Sequence, residues 1–224
     1  PLHIHLAESR AETAQSMELY GARPVEVCRR AGILGPHTTA AHCVDLTAAE
    51  IELLAGSGTV AAHNPRSNMK LASGASPVRG MLERGVRLSL GTDGASSNNS
   101  LNMFAEMSAC ALMHKLVNED ATALPAQTVL DLATLGGAEA LHWPGLGRLA
   151  TGSPADFIAL DLSAPNLQPM YDPVSHLAYA ASGHEVGLTV VDGRVLYENG
   201  EFTAFNYQDL LNEVWEIQTW MLEQ

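Results

Sequence analysis

Twelve Lys and Arg against 25 Asp and Glu give this 224-residue chain a formal net charge of −13, with 17% charged and 46% hydrophobic residues. That balance is globular rather than disordered and suffices for one sizeable core. The negative charge argues against nucleic acid or an anionic membrane as partner, because phosphate binding needs a basic face, and no apolar run reaches the roughly 18–20 residues that span a bilayer.

Residues 1–10 lack the basic and apolar regions of a signal peptide and begin, without Met, inside a strand-like stretch, so a missing upstream segment is expected. Strand and helix patterns then alternate. Leu2–Leu6 reads as a strand and 11–30 as helix, interrupted where Gly21 and Pro24 fall. A strand over 38–43 precedes a helix over 47–55, with Thr47 and Glu50 spaced as a capping box. Residues 59–63 form the third strand. A polar loop, NPRSNMKLASGAS, leads to a short helix over 77–84 and a fourth strand over 86–90. Such alternation implies parallel βα units. Beyond Asp93 the pattern becomes two long helices, 100–117 and 125–142. Strands over 157–160, 187–191 and 194–197 follow, with Asp192-Gly193 as a tight turn, then a helix over 207–222. A boundary is expected near 145–147.

Each of the first four strands ends in, or runs into, a side chain able to hold a metal: His5, His42, His63 and Asp93. In a parallel barrel the strand C-termini gather at one mouth, so residues distant in sequence would converge there. His5 with Glu8 offers a neutral nitrogen for zinc and a carboxylate for proton transfer. Asp93 could both ligate and accept a proton. Taken singly, each has a plainer reading: a core histidine, a turn aspartate, a surface glutamate. Their common position at strand ends tips the balance. His37, His114, His142, His176 and His184 lie outside the pattern and read as structural. Cys28, Cys43 and Cys110 form no C-x-x-C pair and are expected as buried, reduced thiols of a cytoplasmic protein. No Walker loop, G-x-G-x-x-G or G-x-S-x-G is present.

The segments HIHLAES, GPHTTAAHCVDL, HNPRSNMKLASG, LGTDGASSNNSLNMFAEM and ATLGGAEAL, in this order, resemble the amidohydrolase superfamily. Within it the chain is most similar to the methylthioadenosine/S-adenosylhomocysteine deaminases and related chlorohydrolases. The resemblance implies an α/β fold, a TIM-type (β/α)8 barrel with a small β-sandwich. Residues 1–145 would form the C-terminal half of the barrel, 146–206 part of the sandwich and 207–224 a C-terminal helix. It also implies zinc-dependent hydrolytic deamination of an adenine-type nucleoside. His5 and Asp93 would bind one zinc ion, Glu8 would contact the substrate ring and move its proton, and His42 would lie beside the attacking water. Asp93 would also touch substrate and take a proton. His63 falls in a family motif without being a ligand.

The family's first two zinc histidines form an H-x-H far upstream, which His3-Ile4-His5 cannot replace, because only 88 residues separate His5 from Asp93. The expected partners are therefore a nucleoside, the missing N-terminal half of the same protein, and further copies in a homo-oligomer. The rival readings are hydrolysis of another heterocycle (triazine, guanine-like or cytosine-like) and a non-catalytic fragment.

Overall fold

The computed structural model describes residues 1–223, which divide into two compact units. The first comprises Pro1–Arg148 and Pro169–Gly183. Its strands are β1 (Leu2–Leu6), β2 (Thr38–His42), β3 (Val60–His63) and β4 (Arg87–Leu90), paired in that order and all parallel. The register brings the C-terminal ends level: Leu6 pairs with His42, Ala41 with Ala62, and His63 with Leu90. Every residue of β2 and β3 is buried, as in a parallel sheet covered on both faces.

Helices join the strands. They are α1 (Arg10–Tyr20), α2 (Pro24–Arg30), α3 (Ala48–Ser57), α4 (Pro65–Lys70), α5 (Val78–Glu83), α6 (Ala95–Asn98), α7 (Met103–Val117), α8 (Ala126–Ala133), α9 (Leu135–Ala140) and α10 (Pro173–Tyr179). The expected break in the first helix occurs at Gly21, whose left-handed backbone (φ 61°) caps α1 and returns its N–H to Met17 O. The Thr47–Glu50 capping box forms at α3. Val25, Leu54, Met81, Cys110 and Val129 pack with the strand residues into one core.

Three expectations need correction. The segment after His63 is not a plain loop: Pro65 starts α4 from its first position, where a missing N–H costs nothing. The Arg66 N–H is taken by the Glu106 carboxylate, 40 residues away (3.2 Å), so a tertiary contact supplies the cap that local sequence does not. The 125–142 helix divides into α8 and α9 at Thr134 (φ −115°, ψ −79°). Gly136 then sits against β4 so closely that a Cβ would collide with Leu88 O. The helix read from residue 100 starts at Met103 instead, because the Asn102 side chain accepts from the N–H groups of Phe104 and Ala105.

The second unit comprises Leu149–Gln168 and the chain from His184 onward. Its strands β5 (Phe157–Leu160), β6 (Val186–Val191), β7 (Arg194–Glu198) and β8 (Glu201–Phe202) make an antiparallel meander. Asp192 and Gly193 both have positive φ (49° and 72°), the backbone a tight two-residue hairpin requires. A 3-10 turn spans Pro165–Leu167, and α11 (Tyr207–Leu222) carries no buried residue. Among the described residues no helix is long and apolar enough to cross a membrane. All three cysteines are free and buried, and burial pushes the thiols of Cys43 and Cys110 up to about 12.

Candidate active site

The level strand ends of the parallel sheet bring His5, His42 and Asp93 together, with one ligand atom from each lying within 4.8 Å of the others. His5 Nε2 is 3.6 Å from Asp93 Oδ1, and His42 Nε2 is 3.9 Å from Asp93 Oδ2. The His5 and His42 rings meet edge to face with centroids 4.6 Å apart. Glu8 completes the group, its Oε2 lying 3.9 Å from both His5 Nδ1 and His42 Nε2.

The backbone turns sharply where these residues sit. Ala7 (φ 51°), His42 (φ 73°) and Asp93 (φ 59°) all adopt left-handed conformations without being glycine. Each such residue costs on the order of 1–3 kcal/mol, and such strain clusters at functional sites. The Glu8 loop is held by Glu12, whose carboxylate accepts from the N–H groups of Ala7 (3.0 Å) and Glu8 (2.6 Å).

Polar contacts fix the other two residues. Burial pushes the Asp93 carboxyl up, but donation from Ser97 and Ser67 and the Gly94 N–H, with His42 nearby, outweighs it and holds the group at about 2. Ser67 Oγ and Ser97 Oγ both donate to Oδ2, at 2.7 and 2.6 Å. Asn64, with its amide oriented to satisfy both ends, accepts from the Asp93 N–H (3.1 Å) and donates to Ala62 O (2.7 Å). His42 is fully buried, and its Nδ1 lies 2.9 Å from Asn68 Oδ1. Its Nε2 is buried without a hydrogen-bond partner while facing two carboxylates. An orphaned imidazole nitrogen, a second imidazole and an ionised carboxylate are borderline-soft and hard donors of the kind zinc accepts. The residues present fit a divalent metal, which His5, His42 and Asp93 could hold. A cleft of about 700 Å³ opens beside Glu8, lined also by Arg10, Asp45, Leu71 and Ser73.

Residues 1–196 match the model of the amidohydrolase family. The chain belongs to this family. The chain is 62% identical over 224 residues to a 5-methylthioadenosine/S-adenosylhomocysteine deaminase of Nitratidesulfovibrio vulgaris strain DSM 19637, covering all of this chain and 51% of that protein. It is 47% identical over 212 residues to a 5'-deoxyadenosine deaminase of Methanosarcina mazei, covering 95% of this chain and 49% of the relative. Among solved structures, a zinc-bound adenosine deaminase from Xanthomonas campestris superposes with TM-score 0.97 at 38% identity, over 100% of this chain and 51% of that one. Atrazine chlorohydrolase from Arthrobacter aurescens TC1, complexed with zinc, gives 0.89 at 28% identity, over 94% and 47%. The chain therefore spans about half the length of the relatives it matches. Its mixed α/β architecture is of the TIM-barrel type found in amidohydrolases.

In this amidohydrolase chain His63 stands apart from the other strand-end residues. It is fully buried, and its Nε2 lies 3.1 Å from Nε2 of His114, one nitrogen donating and the other accepting. Cys110 lies close to both. Burial, then the neighbouring His114 and His42, lower the His63 pKa well below its ordinary value, and burial lowers that of His114 to about 4. Both rings are thus neutral. Four residues without a sequence motif of their own, Ser67, Asn68, Ser97 and Glu106, also reach the site or its supports. The one signal for the first three was the density of short polar residues in NPRSN and ASSNN, which also suits a solvated loop; Glu106, within α7, carried none.

Proposed function

We propose that the intact protein is a zinc-dependent hydrolytic deaminase of adenine-type nucleosides: 5'-methylthioadenosine, S-adenosylhomocysteine, 5'-deoxyadenosine or adenosine. The convergence of His5, His42, Glu8 and Asp93 at one sheet end carries the reading, and the deaminase names of relatives at 62% and 47% identity support the substrate class. His5 and Asp93 would hold the metal together with ligands from a segment beyond this chain. Zinc, when bound, supplies the Lewis acidity that makes water nucleophilic at neutral pH.

The remaining chemistry falls to the chain's own residues. Asp93 has Oδ2 committed to two hydroxyls, so Oδ1 is the atom left to take the proton of the attacking water. His42 orients that water through its unpartnered Nε2. Glu8, within reach of the same nitrogen, carries a proton to the purine ring, making the amino-bearing carbon electrophilic. Ammonia leaves with the relayed proton.

In this reading residues 1–145 act as half of a barrel, 146–206 as part of a small β-sandwich and 207–224, whose last residue lies outside the described ones, as a terminal helix. A cytoplasmic, homo-oligomeric enzyme is the corresponding assembly, and the free buried thiols suit a reducing compartment. Turnover of a chlorinated triazine is the competing activity, supported by the chlorohydrolase likeness at 28% identity. The test is zinc content together with ammonia release by the intact protein from each nucleoside. Stoichiometric zinc with nucleoside turnover is expected. Triazine turnover without nucleoside turnover would overturn the substrate assignment.

A further inference from the structure

Two consecutive side chains of α4, Ser67 and Asn68, are essentially inaccessible to solvent, yet neither serves the helix. Each reaches a different residue of the candidate site. Asn68 Oδ1 lies 2.9 Å from His42 Nδ1, and Ser67 Oγ donates to Asp93 Oδ2. Asn68 Nδ2 is buried without a partner. The short Oδ1–Nδ1 approach ties this side chain to one ring of the site. The helix itself is anchored from outside, because Glu106 accepts both the Arg66 N–H and an Asn98 N–H, the latter at 2.7 Å. Asn98 in turn holds Thr92 O (2.6 Å), the residue before Asp93. One buried carboxylate thereby ties α4 to the loop that carries Asp93.

We propose that Asn68 and Ser67 are positioning residues: Asn68 Oδ1 accepts the Nδ1 proton of His42 and leaves Nε2 as an acceptor facing the mouth, while Ser67 occupies Asp93 Oδ2 and leaves Oδ1 toward His5. A neutral imidazole has one donor nitrogen and one acceptor, so the bond at Nδ1 dictates what Nε2 can do. With Nε2 as acceptor, His42 can hold a water by receiving one of its protons. With the opposite tautomer it could only donate, and the water would turn its lone pair away from the substrate. Supports of this kind around metal ligands typically change metal affinity or rate about 10–100-fold when removed. The inference deepens the hydrolytic reading of the site and rests on it for its kinetic consequence alone.

The test uses the intact protein, with nitrogen-15-labelled histidine. The wild-type His42 signal should report protonation at Nδ1 with Nε2 bare. Asn68→Leu should lose that signature and lower kcat about 10–100-fold with KM changed less than about 3-fold. Asn68→Asp, which keeps an acceptor oxygen and has no amide N–H, should restore both. Ser67→Ala should weaken zinc binding about 10–100-fold in a chelator competition without substrate, and Ser67→Thr should retain it. A wild-type signal from the Nε2-protonated form, an Asn68→Asp protein as impaired as Asn68→Leu, or unchanged zinc affinity in Ser67→Ala would overturn the proposal. If the intact protein deaminates no nucleoside, the functional reading fails. The tautomer and the zinc affinity still decide this one, and the wild-type His42 signal decides the Asn68 part even if the Ala and Leu variants do not fold.

Discussion

The two sheets of this chain differ in how deeply they are covered, most plainly away from the edge strand β1, of whose five residues three are exposed. In β2 and β3 every residue is buried, whereas three of the four β5 residues are exposed and α11 buries nothing. The polar residues of the first unit are drawn into its interior: His42, His63, Asn64, Ser67, Asn68, Glu106 and His114 are all buried. In such surroundings a polar atom must find a particular partner, and a partner fixes direction. Strands covered on both faces, such as β2 and β3, can therefore fix the direction of the polar side chains at their ends. A half-exposed meander, whose polar groups water satisfies, supports shape but not direction.

Several measurements on the intact protein would break or sharpen this contrast. Glu8→Gln has the largest expected effect, a fall in kcat of about 10²–10⁴-fold with zinc retained, because the variant removes the proposed proton carrier and no proposed ligand. Loss of zinc with full residual turnover would reverse the assigned roles. Leu54→Ala, at a fully buried core position, should cost about 2–5 kcal/mol in a denaturant melt. Gly136→Ala should cost about 1–3 kcal/mol, since its Cβ forces α9 away from Leu88 O.

Acid should find the first unit through its neutral imidazoles. The folded-state pKa of His114 is lowered, so the unfolded chain binds more protons than the fold between pH 6.5 and about 4. His114's share of the stability is complete above about pH 6.5. It is lost as pH falls toward 4, at about 1 kcal/mol per unit, and His114→Gln should flatten that slope. The smallest effect belongs to the second unit: Trp215→Ala, at an exposed α11 position, should change stability by less than about 0.5 kcal/mol. A loss of several kcal/mol would mean that a segment beyond this chain, or another copy, covers α11.

The alternating units, the four parallel strands and the meeting of His5, His42 and Asp93 were legible because they rest on local periodicity and on the rule that parallel strand ends share one edge. Glu8 was legible from its spacing after His5. What escaped was whatever a distant partner decides. Pro65 permits a helix, but Glu106 completes its start, and no pattern within 64–76 announces that. The break at Thr134 is equally invisible in a good helical sequence, because it depends on how closely Gly136 can approach β4. Within its own helix His114 is an ordinary histidine, and what sets it apart is His63, a partner 51 residues away across the core. Ser67 and Asn68 were hidden by their chemistry, since short polar residues signal loops more often than buried supports.

The three thiols give this molecule an internal clock. Cys28 lies in α2, Cys43 follows His42 directly, and Cys110 lies in α7 beside the His63–His114 pair. All are buried, and burial holds each as the unreactive protonated form. A thiol reagent can label them only when the surrounding structure opens, so the rate at each cysteine counts openings of a different neighbourhood. Cys43 times the strained turn at His42 and Cys110 the imidazole pair, while Cys28 times the helical cover. Slow, equal rates would mark the whole unit as one cooperative block; a fast Cys43 would mark the strand end as the part that breathes.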